Sequence, residues 1–347
     1  MRKTIIFHIG LEKTGTSSFQ RFCHAQRRAL LARGVLYPTK SLAYAPQSRN
    51  HAALVAAYYH GVGWADFDLA RSWKRRDAVV ASLIAEIERS LAPIILVSAE
   101  HLSSRFYPFQ IERLAEDFAA YDRRIAIVLR GHEERVYSAY SSTIRAGRSL
   151  TLDAFVDELL TPENWYCRYA ETIARWRRVF GAEKMSILAY SRSRDVIEML
   201  WRDLLGFDEP PPRMRYFVNQ DQGASVLEAM RRVNEILSVP DALASGDYLR
   251  YRISALARSA MLRSLATTPR RADDWLRIGG ERRERLAALV EEDCDALAAL
   301  TPIALPRMAP EPESGSDAAE IEERAQRLLE ERRFVAASLR LMRILRA

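Results

Sequence analysis

The chain has 347 residues, of which 48% are hydrophobic and 28% charged, and its formal net charge is +7 at pH 7. Such a composition excludes a disordered chain and supports one large domain or two smaller ones. No stretch approaches the roughly 20 apolar residues of a membrane span, and the apolar run at residues 5–9 is too short for a signal peptide, so we expect a cytoplasmic protein without a transmembrane segment.

The charge and the cysteines narrow the function classes. Basic residues alternate with acidic ones along predicted helices, and no nucleic-acid-binding motif is present, so no nucleic-acid partner is expected. An excess of arginine suits an enzyme with anionic ligands. Cys23, Cys167 and Cys294 lie far apart and without metal-ligand spacing, which predicts core thiols and no metal site.

Strand and helix patterns alternate along the first 210 residues. Apolar runs predict strands at residues 4–9, 94–98, 124–129 and 185–189. Between and after them, helical periodicity covers residues 17–32, 75–91, 107–121, 132–146, 164–180 and 195–205. This alternation predicts a three-layer α/β fold with a parallel sheet. The segments 10–17, 98–104 and 130–138 should then open onto one crevice, at the carboxyl ends of the strands.

The C-terminal part has a different character after the three prolines at 210–212. Helices are predicted at 225–237, 241–265 and 273–300, and a Pro-containing linker at 305–317 precedes a helical tail that breaks near 331–333. We therefore expect a core over residues 1–210, a helical extension packed on it over 211–304, the linker, and a tail over 318–347. Docking of the tail on the core is favoured over self-association or contact with an acidic partner or a membrane surface.

A glycine-containing loop with a lysine follows the first predicted strand. Gly10 and Gly15 flank Lys13, and Thr16 and Ser17 lead into the next predicted helix. Backbone N–H groups at such a helix start, together with a lysine and hydroxyls, bind anions. In a nucleoside-triphosphate P-loop the lysine would follow the second glycine, but here Thr16 stands there and the lysine lies inside the loop.

Two further segments carry candidate functional residues. Arg130 ends a predicted strand and Ser138 follows eight residues later, so a planar guanidinium and a hydroxyl are available to a phosphate. Glu100 and His101 come just after the strand at 94–98, where a general base would meet an acceptor.

These motifs resemble those of sulfotransferases that use 3′-phosphoadenosine-5′-phosphosulfate (PAPS), over roughly residues 1–235. The loop Lys13-Thr14-Gly15-Thr16-Ser17 resembles their 5′-phosphosulfate loop, the segment from Arg130 to Ser138 their 3′-phosphate element, and Val97-Ser98-Ala99-Glu100 the Ser-x-Glu element of bacterial carbohydrate-type members. The resemblance implies a P-loop-like topology, PAPS as co-substrate with 3′-phosphoadenosine 5′-phosphate (PAP) as product, no metal, and a hydroxyl acceptor on a carbohydrate or glycolipid. It also implies site residues: Lys13, Thr14, Gly15, Thr16, Ser17, Arg130 and Ser138 for the donor, Lys13 at the bridging oxygen, and Glu100 as base with His101 as the alternative. Glu12 stands where that family often has a small, proline or polar residue, and its carboxylate would repel phosphosulfate unless its side chain turns outward.

Two other functions remain open at this point. A small-molecule kinase with an aberrant P-loop would use Glu100 as a magnesium ligand, and a non-catalytic adenine-nucleotide-binding scaffold would act through the C-terminal helices. His8 is predicted to be a core histidine. The aromatic residues between the first helix and second predicted strand fit either an acceptor surface or a small satellite core; they are Tyr44, Tyr58, Tyr59, Trp64, Phe67 and Trp73, with His51 and His60.

Overall fold

The structure is a computed structural model that describes residues 2–40, 49–58, 76–213, 222–237, 248–271, 273–308, 317–332 and 335. Several predicted features lie outside these residues: most of the aromatic segment, the start of the helix at 241–265, most of the linker, and the end of the tail. Among the described residues, no helix is both long and apolar enough to cross a membrane.

The first 210 residues build a parallel sheet, as the sequence predicts. Its strands are β1 (Thr4–His8), β2 (Val35–Leu36), β3 (Ile94–Ser98), β4 (Asp122–Leu129) and β5 (Met185–Ala189). Their spatial order is β2-β3-β1-β4-β5, and every pair of neighbours is parallel. Since β1 lies in the middle, the loop that follows it leaves the sheet between the carboxyl ends of β3 and β4.

Helices connect the strands and continue after the last one. Up to the end of β5 they are α1 (Thr16–Ala25), α2 (Arg27–Ala32), α3 (Ala52–Tyr58), α4 (Arg76–Arg89), α5 (His101–Arg105), α6 (Pro108–Asp117), α7 (His132–Ala146), α8 (Leu152–Leu159) and α9 (Tyr169–Phe180), with a short 3₁₀ turn at Ala182–Lys184. After β5 come α10 (Val196–Met199), a π-helical turn (Leu200–Leu204), α11 (Ala224–Leu237), α12 (Tyr248–Ala266), α13 (Gly280–Ala298) and α14 (Ala318–Glu331).

Apolar side chains cover both faces of the sheet. On one face Phe7 packs edge-on against Phe118 at a ring-centroid distance of 5.4 Å, within a cluster that includes Trp176. On the other face Ile6 belongs to a cluster in which Phe22 packs against Trp201 at 5.6 Å. Burial on both faces explains why the strands are continuous apolar runs. The predicted three-layer α/β class is confirmed.

Several local features differ from the sequence prediction, among them three short helices that it lacks, at Ala52–Tyr58, His101–Arg105 and Leu152–Leu159. The helix predicted at 17–32 is broken at Gln26, whose φ of −95° and ψ of 16° end α1 and begin α2. β2 has two residues, too few for a sequence pattern, and was not predicted. The helix predicted from residue 273 begins only at Gly280, because the adjacent Gly279 and Gly280 disfavour helical backbone.

The chain divides into two compact units that alternate along the sequence. The first comprises Met1–Arg135, Trp165–Val218 and Leu289–Arg307, and contains the sheet. The second comprises Val136–Asn164, Asn219–Ala288 and Met308–Ala347, and in it α11 contacts both α12 and α14. The sequence-based boundaries at 210, 304 and 317 stay a prediction.

Candidate functional site

The loop between β1 and α1 has a backbone shape that few sequences allow. Gly10, Lys13 and Gly15 have φ values of 44°, 70° and 80°, all in the left-handed region. A Cβ at Gly10 would lie 2.6 Å from Thr16 Cγ2, and one at Gly15 would lie 2.7 Å from Val196 Cγ1. Glycine is therefore required at both positions. Left-handed residues are typical of loops that turn successive N–H groups toward one side and so form an anion-binding concavity.

The carbonyl oxygens of this loop are bonded by side chains. Thr14 Oγ1 donates to the Leu11 carbonyl at 2.7 Å, Arg135 Nε to the Glu12 carbonyl at 2.9 Å, and Arg130 Nη1 to the Lys13 carbonyl at 2.7 Å. These bonds fix the loop and place two guanidinium charges beside it. The loop thus combines fixed N–H groups with positive charge, the combination that an anion requires.

Arg130 is the predicted phosphate residue at the end of β4. Its side chain is 10% exposed, and besides the Lys13 carbonyl it bonds Glu134 Oε2 through Nε at 3.1 Å. Its guanidinium lies 4.9 Å from the centroid of the Tyr190 ring, and Glu134 also pairs with Arg192 at 2.8 Å. Arg130 therefore connects the loop to the segment after β5. Ser138, the other residue of this motif, lies on α7 and is partly exposed.

Arg135 is a loop contact that the sequence analysis missed. It is 1% exposed, and its guanidinium lies 3.6 Å from the centroid of the Tyr166 ring and 5.2 Å from that of Tyr169. It also donates to the Tyr166 carbonyl. Burial acts to lower the pKa of Arg135, but the neighbouring Tyr166, Tyr169 and Glu12 outweigh it and raise the pKa. The guanidinium is a permanent charge behind the loop, and its signal in the sequence was only a second arginine five residues after Arg130.

Glu100 lies two residues after β3, at the residue preceding α5. Its side chain makes no bond to the start of that helix; Oε2 instead accepts a hydrogen bond from Gln20 Nε2 at 2.6 Å. A Cβ at Gly10 would lie 3.8 Å from Glu100 Cβ, so the carboxylate-bearing residue is next to the glycine loop. The structure therefore brings together the loop and the segment after β3, residues 99–104, which we call the rim, as the sequence predicts for these two segments.

His101 belongs to a different hydrogen-bond group from Glu100. Its Nδ1 lies 3.1 Å from Glu12 Oε1, which also accepts a bond from Ser104 Oγ at 2.7 Å. Burial would raise the pKa of Glu12, but the hydrogen bond and charge of His101 and the charges of Arg135 and Arg105 hold it well below its usual range. Burial would lower the pKa of His101, but the bond and charge of Glu12 raise it. Glu12, the unusual residue of the loop, is thus paired with His101.

The other predicted loop residues take different positions. Thr14 and Thr16 are buried, and the Thr14 hydroxyl is bonded within the loop. Ser17 is exposed on the first turn of α1, and Lys13 is partly exposed. Their N–H and side-chain groups are the candidates for binding an anion, since this part of the chain lies between the arginine-bonded carbonyls and the helix start.

Buried polar residues near the sheet edge are part of the core. Burial lowers the pKa of both His8 and His51 to about 4, so both are neutral near pH 7. His51 accepts from the Ser98 N–H through Nδ1 at 2.9 Å and approaches the Pro38 carbonyl through Nε2 at 3.0 Å. The Tyr58 hydroxyl donates to Asp117 at 2.6 Å. Of the predicted aromatic segment, Tyr58 and His51 are therefore core residues, while Tyr44, Tyr59, His60, Trp64, Phe67 and Trp73 lie outside the described residues.

Three rings lie beside the rim, and we call Tyr107, Phe109 and Trp165 the aromatic surface. Trp165 is partly exposed, with the Arg175 guanidinium 3.6 Å from its ring centroid. Tyr107 is 50% and Phe109 53% exposed, and the Tyr107 and Trp165 rings pack edge to face at 5.1 Å. Trp165 Nε1 donates to the carbonyl of Ser104 at 3.0 Å. Because Ser104 also bonds Glu12, the aromatic surface is connected to the loop and to the rim. No sequence motif identifies these rings.

The three cysteines are free thiols; Cys23 and Cys167 are buried and Cys294 is partly buried. No group of three or more His, Cys, Asp or Glu side chains that could hold a metal ion is found within the described residues.

Comparison with known proteins finds similarity to solved structures. No family model matches the chain, and no curated protein matches it. Among solved structures, the chain is similar to a crystal structure of a sulfotransferase from Alicyclobacillus acidocaldarius, at 20% sequence identity and a TM-score of 0.44. The match covers 86% of this chain and 96% of that one.

Proposed function

We propose that the chain is a sulfotransferase that moves a sulfuryl group from PAPS to a hydroxyl of a carbohydrate or glycolipid. The glycine loop carries the proposal: Lys13 lies inside it in left-handed backbone, and its carbonyls are bonded by Arg130 and Arg135. This supports binding of a phosphate or phosphosulfate group by fixed N–H donors and positive charge. The lysine position, which differs from that of a nucleoside-triphosphate P-loop, supports PAPS over ATP.

The chemistry of the donor set fits two anionic groups on one nucleotide. Lys13, Thr14, Gly15, Thr16 and Ser17 would hold the 5′-phosphosulfate, and Arg130 and Ser138 the 3′-phosphate. Glu134 now bonds Arg130. It is 39% exposed, so it can turn into water when a phosphate takes its place at little cost.

The residues of the rim and of the loop have separate roles in the transfer. PAPS supplies the sulfuryl group: the acceptor oxygen bonds to sulfur as the bond from sulfur to the 5′-phosphate oxygen breaks, and PAP is released. Glu100 takes the proton of the acceptor hydroxyl. Lys13 and the N–H groups at the start of α1 stabilise the negative charge that develops on the 5′-phosphate.

The neighbours of Glu100 and His101 favour the first as base. Glu12 raises the pKa of His101, so this histidine is protonated over a wider pH range than an ordinary one and is less available to accept a proton. Glu100 accepts a hydrogen bond to one carboxylate oxygen, which leaves the other oxygen to accept the proton. His101 remains the alternative base.

The acceptor class rests on the aromatic surface. Half-exposed aromatic rings, as at Tyr107 and Phe109, suit sugar rings, whose C–H faces pack on aromatic faces. Tyr107 and Trp165 lie near His101 through the Ser104 contact, so a sugar stacked there could present a hydroxyl to the rim.

The proposal is tested by transfer with the full-length protein. PAPS is supplied with a panel of p-nitrophenyl glycosides, glycolipids and p-nitrophenol, and sulfated product and PAP are measured by mass spectrometry, in parallel with ATP and Mg²⁺. We expect sulfated glycoside and PAP in equal amounts, strong loss of product in Lys13→Ala and Glu100→Gln, and no loss in the exposed Lys40→Ala control. Phosphorylated product from ATP would make the protein a kinase. PAP binding without transfer to any acceptor would make it a scaffold.

A further inference from the structure

A buried chain of polar side chains connects helix α1 to the rim of β3. Gln20 is 3% exposed and lies one helical turn after Thr16, on the helix that the loop begins. Its Nε2 donates to Glu100 Oε2 at 2.6 Å and to Ser98 Oγ at 3.2 Å. Ser98 Oγ in turn lies 2.8 Å from His8 Nδ1. An amide nitrogen has two hydrogens, so Gln20 can make both bonds at once.

The orientation of the Gln20 amide follows from its neighbour. In the opposite orientation its carbonyl oxygen would face a carboxylate oxygen at 2.6 Å, where two acceptors repel each other. Within the described part of the chain, Gln20 is the side chain that bonds the Glu100 carboxylate. His8 is neutral because burial lowers its pKa to about 4. Glu100 therefore carries the one formal charge of this four-residue chain, and Gln20 stabilises that charge.

A glutamine at this position needs a reason beyond packing. Its neighbours on α1 that face the core are Phe19, Phe22 and Cys23, all fully buried and apolar. A buried amide among them is costly unless its hydrogen bonds are made, and here both of its N–H groups are used at the end of β3. A hydrogen bond to a carboxylate is stronger than one between neutral groups, and it holds the carboxylate in one orientation.

We propose that Gln20 is a positioning residue for the reaction: its side-chain amide holds the Glu100 carboxylate at the glycine loop and so couples the base to the donor-binding helix. The inference rests on the proposed function, with Glu100 as base. The side-chain bonds of Gln20 are to Glu100 and Ser98, so it acts through Glu100. Its loss should therefore lower turnover and leave donor binding intact, because a carboxylate without its amide donor samples orientations from which it cannot take the acceptor proton.

The test compares Gln20→Leu with Gln26→Leu, the same substitution at the end of the same helix and away from Glu100. Turnover is measured with PAPS and p-nitrophenyl glycosides, and PAP affinity by calorimetry. We expect kcat of Gln20→Leu to fall about 10- to 100-fold, as for loss of a hydrogen bond to a charged group, with PAP affinity within about threefold of wild type. Gln26→Leu should match wild type in both. An unchanged kcat in Gln20→Leu would overturn the inference.

An exchange of the two side chains separates positioning from structure. Gln20→Glu alone places two carboxylates against each other and should lower the melting temperature. The double variant Gln20→Glu with Glu100→Gln restores one amide and one carboxylate, so the melting temperature should recover while transfer stays lost, since the carboxylate is now on α1. Recovery of transfer in the double variant would overturn the inference. If the wild type neither binds PAP nor transfers a sulfuryl group, the proposed function is overturned as well. If the wild type is active and Gln20→Leu has the same kcat, only the role of Gln20 is overturned.

Discussion

Replacing Gly15 by alanine should destabilise the protein by about 2–5 kcal/mol and weaken donor binding. Two effects contribute. Gly15 has a φ of 80°, where a residue with a Cβ costs about 1–2 kcal/mol. The new Cβ would also lie 2.7 Å from Val196 Cγ1 and 3.0 Å from Cγ2, and such overpacking costs about 1–3 kcal/mol. Relief of the overlap must move α10 or the loop, and movement of the loop disturbs its N–H groups.

Gly206 is a matched control for the backbone effect. Its φ is 73°, and a Cβ there would meet nothing within 4 Å. Gly206→Ala should therefore lose only about 1–2 kcal/mol, and the difference between the two alanine variants is the steric effect of Val196. Urea unfolding monitored by tryptophan fluorescence measures both, and calorimetric titration with PAP reports on the loop.

A double variant then assigns the steric effect. Gly15→Ala combined with Val196→Ala should be more stable than the sum of the single effects predicts, by about 1–3 kcal/mol, because the shortened side chain makes room for the Cβ. Equal destabilisation by Gly15→Ala and Gly206→Ala, or strict additivity in the double variant, would refute the packing of α10 against the loop.

Three further predictions follow from contacts around the loop and rim. Arg135→Leu removes the donors to the part-buried Glu12 and Tyr166 carbonyls and should cost about 2–4 kcal/mol in urea unfolding, with weaker PAP binding; wild-type stability would contradict it. In Glu12→Gln the ion pair with His101 is lost. The contribution of Glu12 to stability is present above its unfolded pKa of 4.5 and is lost as the pH falls, whereas that of His101 is present below its unfolded pKa of 6.5 and is lost as the pH rises. The loss of stability in the variant should therefore be largest between pH 4.5 and 6.5. A loss of stability that does not vary with pH would argue against the ion pair. Trp165→Leu should raise the KM for a glycoside acceptor about 3- to 10-fold without changing PAP affinity, whereas the exposed Trp275→Leu should change neither; an unchanged KM would remove Trp165 from the acceptor site.

The sequence predicted the sheet because its main strands are apolar runs, which are largely buried in β1, β3 and the second half of β4 and partly exposed in β5. Ile94–Ser98 and Met185–Ala189 were predicted at their observed bounds, since apolar runs between helical patterns have few other interpretations. β2 was missed because two residues form no pattern. The break at Gln26 was missed because apolar residues continue at helical spacing on both sides of it.

The parts of the site that depend on local sequence were predictable, and the parts that depend on contacts between residues far apart in the sequence were not. Strand ends gave the loop, Glu100 and Arg130 as neighbours at one edge of the sheet. The contacts that define their environment join distant residues: Gln20 bonds Glu100 80 residues away, and Arg135 bonds the loop 123 residues away. The orientation of the Glu12 side chain also depends on such a contact, because its partner His101 comes from the rim of another strand. Periodicity carries no information about such pairs.

The proposed function requires a donor site that distinguishes PAP from ADP. Calorimetric titration of the wild type with PAP and with ADP plus Mg²⁺ measures this directly, and Arg130→Ala tests the residue assigned to the 3′-phosphate. We predict that PAP binds more tightly than ADP, and that Arg130→Ala weakens PAP at least tenfold more than ADP, because only PAP carries a 3′-phosphate. Tighter binding of ADP with Mg²⁺, equal weakening of both nucleotides by Arg130→Ala, or no binding of either would contradict the account.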